Sequence, residues 1–182
     1  ESPFHALTPQ LREEMGQAAI KAAAASGYQN AGTVEFVLDK HHNYYFIEMN
    51  PRIQVEHPVT EMVTGVDLIR EQIRIADKQP LSFEQKDIHI EGHAIECRIN
   101  AEDVQNHFAP CPGTIKSMHL PGGMGVRIDT AIYQDYRIPP YYDSMIAKCI
   151  VHAPDRVQAI RRMRRVLEEV VIEGVPTNTD LL

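Results

Sequence analysis

The spacing of apolar residues divides the chain into a helical first part and a strand-rich second part. Thr8 and Pro9 are typical of a helix start, and an apolar repeat at helical spacing follows them. Two runs rich in β-branched, aromatic and aliphatic residues, 33–39 and 44–49, predict a β-hairpin. A second helix is predicted for 67–76.

The remainder of the chain follows a linker-like stretch and reads mainly as short strands. Proline and glycine residues separate these strands. Asp155 is suited to begin a helix whose apolar residues lie on one face. The predicted strands are 93–99, 114–120, 125–129 and 144–152.

Composition excludes several classes of protein. The chain has 182 residues, 43% of them hydrophobic, so it can form a sizeable core. Its net charge of -7 argues against a non-specific nucleic-acid binder. Three cysteines without a C-x-x-C motif indicate neither a disulfide framework nor a zinc site, and they fit a reducing compartment. No apolar run approaches the ~20 residues that span a membrane.

The predicted hairpin brings two acidic residues face to face. A turn centred between His41 and His42 places Glu35 directly opposite Glu48. Such side chains lie about 4.5–5.5 Å apart at Cβ, and two like charges there destabilise the sheet. A divalent cation reverses the sign of this interaction, because magnesium binds one or two carboxylates alongside water and phosphate. Taken alone, the pair also fits two solvated glutamates on an exposed face.

The second strand continues into a stretch of strictly alternating polarity. From residue 47 to 56 every even position is polar and every odd position apolar, so the polar groups share one face while the chain stays extended. Because Pro51 cannot donate to a sheet ladder, we expect pairing to end there and the chain to continue as an extended loop. A half-exposed edge strand is the alternative. The polar row is Glu48, Asn50, Arg52, Gln54 and Glu56.

The order of groups in this row suits the activation of a small oxyanion. Oxygen ligands for a cation come first, and the guanidinium of Arg52 follows, which can clamp carbonate-like or phosphate oxygens in two places. A carboxylate such as Glu56 can act as a general base where it reaches the reacting proton. This arrangement fits attack of a small oxyanion on the γ-phosphate of ATP.

The same residues carry a resemblance to a known enzyme family. Segment 46–53 is similar to a signature of ATP-grasp ligases that biotin carboxylases and carbamoyl-phosphate synthetases share, and 54–61 resembles the biotin carboxylase branch. Further segments similar to that branch follow in order at 92–103, 121–127 and 139–145. The chain is therefore identified as a member of the biotin carboxylase family over essentially its whole length.

The resemblance implies a fold and a domain organisation. We expect an α+β fold in which the C-terminal half of an ATP-grasp domain, 1–76, is followed by a linker, 77–91. The strand-rich biotin carboxylase C-terminal domain, truncated, is expected at 92–182. In the family an N-terminal domain and a mobile lid, with lysines that hold ATP phosphates, precede these motifs. We therefore expect the isolated chain to be inactive.

The resemblance also implies the metal and ATP site. Glu35 and Glu48 match the family's magnesium or manganese ligands at the ATP phosphates. Asn50 matches a further residue of the metal site.

Further matches imply the groups that handle bicarbonate and biotin. Arg52 matches the catalytic arginine that holds bicarbonate or carboxyphosphate, and Gln54 and Val55 match bicarbonate contacts. Glu56 matches the base that deprotonates bicarbonate. Arg127 matches the arginine that stabilises the enolate-like form of biotin, although from its pattern alone it reads as a solvated strand residue.

Three alternating polar residues in a predicted strand also invite a catalytic interpretation. For His93, Glu96 and Arg98 we expect a buried, paired structural role instead.

The implied function is the carboxylation of biotin on a carrier protein, with MgATP or MnATP and bicarbonate, through carboxyphosphate. We expect a ligase that carries out the first half-reaction of acetyl-CoA carboxylase in cytoplasmic fatty acid biosynthesis. Its implied partners are biotin carboxyl carrier protein, carboxyltransferase subunits and a second copy of itself, without nucleic acid or membrane. Two alternatives stay open: the same domain of a pyruvate, propionyl-CoA or other acyl-CoA carboxylase, and a non-catalytic dimerisation module when isolated.

Overall fold

The computed structural model describes residues 1–182 and divides them into two compact units. One unit is Pro3–Ile90, and the other joins Glu1–Ser2 to Glu91–Leu182. The mixture of helices and strands confirms the predicted α+β fold, whereas the expected domain bounds stay a prediction. None of the helices is both long and apolar enough to cross a membrane.

The chain forms four α-helices, nine strands and three single 3-10 turns. The helices are α1 (Pro9–Ala25), α2 (His57–Thr64), α3 (Leu68–Ala76) and α4 (Arg156–Glu169). The longer strands are β1 (Thr33–Leu38), β2 (Tyr44–Asn50), β3 (His93–Asn100), β7 (Val126–Thr130) and β8 (Met145–Ala153). The short strands are β4 (Glu102–Asp103), β5 (Ala109–Pro110), β6 (Ser117–His119) and β9 (Val171–Glu173). The 3-10 turns are Gln85–Asp87, Val104–Asn106 and Thr179–Leu181.

Side-chain caps fix the helix starts that the sequence predicts. The hydroxyl of Thr8 accepts the backbone N–H of Leu11 at 3.2 Å, and Pro9 occupies the first turn of α1. The carboxylate of Asp67 caps α3 in the same way. Each cap satisfies a backbone donor that the helix itself leaves unpaired. The predictions for α1 and α3 are confirmed.

The prediction of an extended loop beyond Pro51 is wrong, because helix α2 begins at His57. The helix has Pro58 in its first turn and ends at Gly65, whose φ of 71° is the left-handed conformation that closes many helices. Pro58 and Val59 are buried. The loop is therefore short, and a helix follows directly after the polar row.

The second unit is built around an antiparallel sheet with the order β3–β8–β7. Helix α4, capped by Asp155, packs against one face of this sheet. Ile99, Val151 and Val166 are completely buried between the two layers. Strand β6 is shorter than the predicted strand 114–120. Only residues 117–119 pair with β9, whereas Thr114 forms an isolated bridge with Arg137.

Candidate active site

The hairpin places the two acidic residues opposite each other. Glu35 of β1 is the direct partner of Glu48 in β2, which confirms the predicted register at this end. Between Glu35 and Phe36 the register shifts by one residue, so that Phe36 faces Phe46. A β-bulge in β2 accounts for the shift, because it inserts one residue that has no partner on the other strand.

The turn of the hairpin differs from the one that the sequence predicts. Instead of a two-residue turn between His41 and His42, Asp39 organises the connection. Its carboxylate accepts the backbone N–H groups of His41 at 2.7 Å and Asn43 at 2.9 Å. Hydrogen bonds from Asn43, first from its side chain and then from its backbone, lower the pKa of Asp39. His42 adopts a φ of 65°, which closes the turn.

Asn50 lies where the two carboxylates converge. Its side-chain nitrogen donates to Glu35 Oε1 at 2.8 Å and to Glu48 Oε1 at 3.0 Å. One amide group thus bridges both acidic residues. The donated hydrogens carry partial positive charge, so the amide offsets part of the repulsion between the carboxylates.

Arg52 extends this network along the chain. Its Nη1 donates to Gln54 Oε1 at 2.9 Å, and its Nη2 lies 3.5 Å from Asn50 Oδ1. The amide of Gln54 in turn approaches Glu35 Oε1 at 3.5 Å. Four residues of the predicted polar row, Glu48, Asn50, Arg52 and Gln54, therefore gather into one network with Glu35, although the chain beyond Asn50 is turned rather than extended.

A small cleft lies at the far end of this network. It has a volume of about 150 Å³, and Arg52, Gln54 and Glu56 all line it. Glu56 is exposed and precedes the first turn of α2. Val55, between Gln54 and Glu56, is half-buried. An anion in this cleft would meet a guanidinium, an amide and a carboxylate.

Two residues that sequence reasoning missed support the cleft. Gly32 lines it, and a Cβ at this position would lie 3.1 Å from the carbonyl oxygen of Asn50 and 3.0 Å from the ring of Tyr28. His57 lines it too, and its Nδ1 lies 2.7 Å from the carbonyl oxygen of Gln54. The glycine directly before the first strand was the available signal for Gly32.

The acidic end of the network fits a hard divalent cation. Glu35 and Glu48 offer carboxylate oxygens, and the amide of Asn50 already fills the point between them with positive hydrogens. Magnesium and manganese favour such oxygen ligands and accept a site with only two carboxylates. The structure holds no cluster of three or more His, Cys, Asp or Glu side chains that could bind a metal, so a site here would depend on the two carboxylates and the amide.

Arg127 belongs to the other unit of the chain and is already paired there. Its guanidinium holds Asp129 through two parallel hydrogen bonds, Nε to Oδ1 and Nη2 to Oδ2, each 2.8 Å long. Lys148 adds a third contact, with its Nζ 3.6 Å from Asp129 Oδ2. Arg127 is half-buried, whereas its sequence pattern alone predicts a solvated residue.

The polar residues His93, Glu96 and Arg98 of β3 have unlike environments. His93 is buried and its Nε2 lies 3.0 Å from the carboxylate of Glu1, as expected for a structural role. Glu96 is half-buried. Arg98, however, is exposed, so the expectation that it is buried is wrong. The alternation of β3 directs Glu96 and Arg98 away from the face that α4 covers.

Two known family models match the chain, and the boundary between them lies close to the boundary between the two compact units. Residues 1–84 match the carbamoyl-phosphate synthase L chain, ATP binding domain, and residues 96–182 match the biotin carboxylase C-terminal domain. The ATP binding domain match contains the hairpin with the two carboxylates, and the C-terminal domain match contains the strand-rich unit, in the order expected from the sequence. The chain belongs to the biotin carboxylase family.

Individual relatives agree with this assignment. Over 97% of the chain, biotin carboxylase 1 of Bacillus subtilis is 60% identical and a pyruvate carboxylase subunit of Methanothermobacter thermautotrophicus is 59% identical. The chain spans 40% and 36% of these two proteins.

A solved structure agrees as well. The biotin carboxylase domain dimer of the Hydrogenobacter thermophilus 2-oxoglutarate carboxylase, in complex with MgADP, ADP and bicarbonate, is 53% identical. It superposes with a TM-score of 0.94 over 98% of this chain and 39% of that one.

Proposed function

We propose that the chain is part of a biotin carboxylase that uses ATP and bicarbonate to carboxylate biotin on a carrier protein. The observation that carries this proposal is the network in which Asn50 bridges Glu35 and Glu48 and connects through Arg52 to the cleft beside Glu56. Its support from relatives is the 2-oxoglutarate carboxylase domain, which was solved with MgADP and bicarbonate.

The acidic end of the network is the proposed cation site. Glu35, Glu48 and Asn50 would hold Mg²⁺ or Mn²⁺, which neutralises charge on the ATP phosphates during phosphoryl transfer. Asn50 presents its N–H groups to the two carboxylates. To become a ligand it must turn its oxygen toward the cation, because only that atom has a lone pair to give.

The cleft is the proposed bicarbonate site. Arg52 orients the planar anion, since a guanidinium matches two of its oxygens at once. Gln54 and the backbone of Val55 supply further contacts. Glu56 takes the bicarbonate proton as a bicarbonate oxygen attacks the γ-phosphate; the bond to ADP breaks, and carboxyphosphate and ADP result. Carboxyphosphate then breaks down to carbon dioxide and phosphate. The phosphate deprotonates biotin, which attacks the carbon dioxide.

For the arginine that stabilises deprotonated biotin, two residues are candidates. Motif resemblance supports Arg127, but its guanidinium is occupied by Asp129 through two hydrogen bonds. Arg98 is an exposed residue of β3. A role of this kind requires a guanidinium that can reach a developing negative charge.

Substitutions in the intact enzyme test these roles. Glu56→Gln keeps the size of the side chain but removes the base, so bicarbonate-dependent ATP cleavage should fall. Arg127→Ala and Arg98→Ala should be compared for biotin-dependent turnover. A variant that keeps full turnover removes the role proposed for its residue, and full turnover in Glu56→Gln would refute the proposed base.

Several acceptors are open to the whole enzyme: acetyl-CoA, pyruvate, propionyl-CoA or another acyl-CoA. We propose acetyl-CoA carboxylase in cytoplasmic fatty acid biosynthesis, with biotin carboxyl carrier protein, carboxyltransferase subunits and a homodimer. The nearly equal identity to a protein of pyruvate carboxylase supports pyruvate as the alternative. Transfer of carboxyl from the loaded carrier to acetyl-CoA or to pyruvate distinguishes them, and sedimentation tests the dimer.

A further inference from the structure

Two of the three cysteines lie directly opposite each other in the second unit. Cys97 of β3 is the register partner of Cys149 in β8. Directly opposite residues in an antiparallel pair direct their side chains to the same face. Here that face is the one beneath α4, because Cys149 belongs to the core cluster and Cys97 packs against it. Cys111 lies elsewhere, with its thiol on the carbonyl oxygen of Ala109.

The hydrogen-bond pattern of β3 fixes the spacing of the two backbones. Ala94 exchanges both of its backbone hydrogen bonds with Ser2, on the side of β3 away from β8. The carbonyl of Arg98 also points that way, since it accepts from Asn178. Because successive residues alternate sides, Cys97 must exchange its bonds with Cys149. The Cα atoms of such a pair lie about 5.5 Å apart.

The Cα separation allows a disulfide, but the Cβ separation is longer than a relaxed disulfide requires. Disulfides join residues whose Cα atoms are about 4.4–6.8 Å apart, so the backbones are near enough. Their Cβ atoms are normally about 3.8 Å apart, whereas facing strand residues hold Cβ atoms about 4.5–5.5 Å apart. The strands must therefore close slightly, and a bond formed under such strain is easily reduced.

The two thiols differ in how readily an oxidant can reach them. Cys97 is half-buried and lines an open groove of about 1180 Å³ together with Ile95, Met163 and Leu167. Cys149 is completely buried. Burial raises the pKa of Cys97, and burial together with the nearby Cys97 raises the pKa of Cys149 to about 12. Cys97 is thus the thiol that reacts first, and the reaction is slow at neutral pH.

We propose that Cys97 and Cys149 form a reversible disulfide when hydrogen peroxide reaches the groove beside α4. The Cys97 sulfur attacks the peroxide, its O–O bond breaks, and a sulfenic acid and one water form. The Cys149 sulfur then attacks the sulfenic sulfur, and hydroxide leaves and takes up the Cys149 proton as a second water. Overall, two thiols give two electrons and two protons to one peroxide. A dithiol reductant restores both thiols.

Mass spectrometry of the full chain tests this inference. The reduced protein is treated with hydrogen peroxide, remaining thiols are alkylated, and the protein is digested without reductant. We expect a peptide pair joined through Cys97 and Cys149 that lacks two hydrogen atoms and separates on reduction with dithiothreitol. Its yield should not depend on protein concentration, because both thiols belong to one chain.

Substitutions provide matched controls. Cys111→Ser should leave the joined peptides unchanged, whereas Cys97→Ser and Cys149→Ala should abolish them. Circular dichroism checks that each variant is folded, and the wild-type digest is decisive by itself. Oxidation of Cys97 to sulfinic acid without cross-linking in the folded protein would overturn the proposal. Cross-links through Cys111 at comparable yield would also overturn it, because they would arise from unfolded or separate chains.

Discussion

The bridging amide of Asn50 makes a definite prediction about the hairpin when no metal is bound. Asn50→Leu keeps a side chain of similar size but removes both N–H donors, so Glu35 and Glu48 face each other without compensation. We expect the hairpin to open more often when metal is removed with EDTA.

The magnitude follows from the two hydrogen bonds. A hydrogen bond to a charged group contributes about 1.5–3 kcal/mol. The contact with Glu35 is half-buried and the contact with Glu48 is exposed, so the latter adds little. We expect a loss of about 1–2 kcal/mol, which corresponds to a roughly 5- to 30-fold faster local opening.

Hydrogen exchange of the backbone amides of β1 and β2 measures this opening directly. Asn50→Asp serves as the matched variant: in EDTA it should also speed exchange, because it adds a third carboxylate, but Mg²⁺ should slow exchange again. Mg²⁺ should also slow exchange in Asn50→Leu, which keeps both glutamates, but only at a higher Mg²⁺ concentration, because this variant lacks the third ligand. Unchanged exchange of Asn50→Leu in EDTA would refute the compensating role of the amide, and failure of Mg²⁺ to protect Asn50→Asp would argue against the cation site.

Three further predictions concern catalysis, backbone conformation and acid stability. Glu56→Gln in the intact enzyme should lower bicarbonate-dependent ATP cleavage about 10²- to 10⁴-fold in steady-state assays, the usual contribution of a general base. Gly125→Ala should lose at least about 1–2 kcal/mol in urea unfolding, because its φ is 72° and a methyl group would overlap neighbouring atoms; Gly122→Ala, which meets nothing, is the control and should change little. Asp155→Ala should destabilise the chain at neutral pH. The backbone hydrogen bond from Gln158 lowers the pKa of Asp155, so its contribution is present above pH 3.8 and disappears as the pH falls through the lower folded value. The pH-dependent part of the difference between wild type and variant should accordingly disappear in strong acid.

Local signals predicted most of the helices and the register of the acidic pair. Helices α1 and α3 begin at Thr8 and Asp67 because a side-chain oxygen there satisfies a free backbone donor, which a sequence displays directly. Helix α2 was missed because the alternating polarity of residues 47–56 predicts an extended chain up to its start, although Pro58 and Gly65 are ordinary signals for its two ends.

Tertiary contacts decided the features that the sequence could not predict. The alternation from Ile47 to Glu56 indicates which residues share a face, but not that Asn50 would bridge two carboxylates. Exposure of Arg98 depends on what covers its side of the sheet, and periodicity within one strand carries no information about that. The roles proposed for Arg52 and Arg127 likewise depend on contacts with substrate.

The irregularity between Glu35 and Phe36 has a consequence for variation in hairpin length. Residues 46 and 48 would share a face in a regular strand, yet here Phe46 meets the ring of Phe36 while Glu48 meets Glu35. Because Ile47 has no partner in β1, the aromatic contact and the acidic contact lie on opposite faces of the hairpin. Between this irregularity and the turn the pairing is shifted by one residue, yet Glu35 and Glu48 stay directly opposite each other. A change of one residue in hairpin length that such a bulge takes up would therefore leave the acidic pair in place.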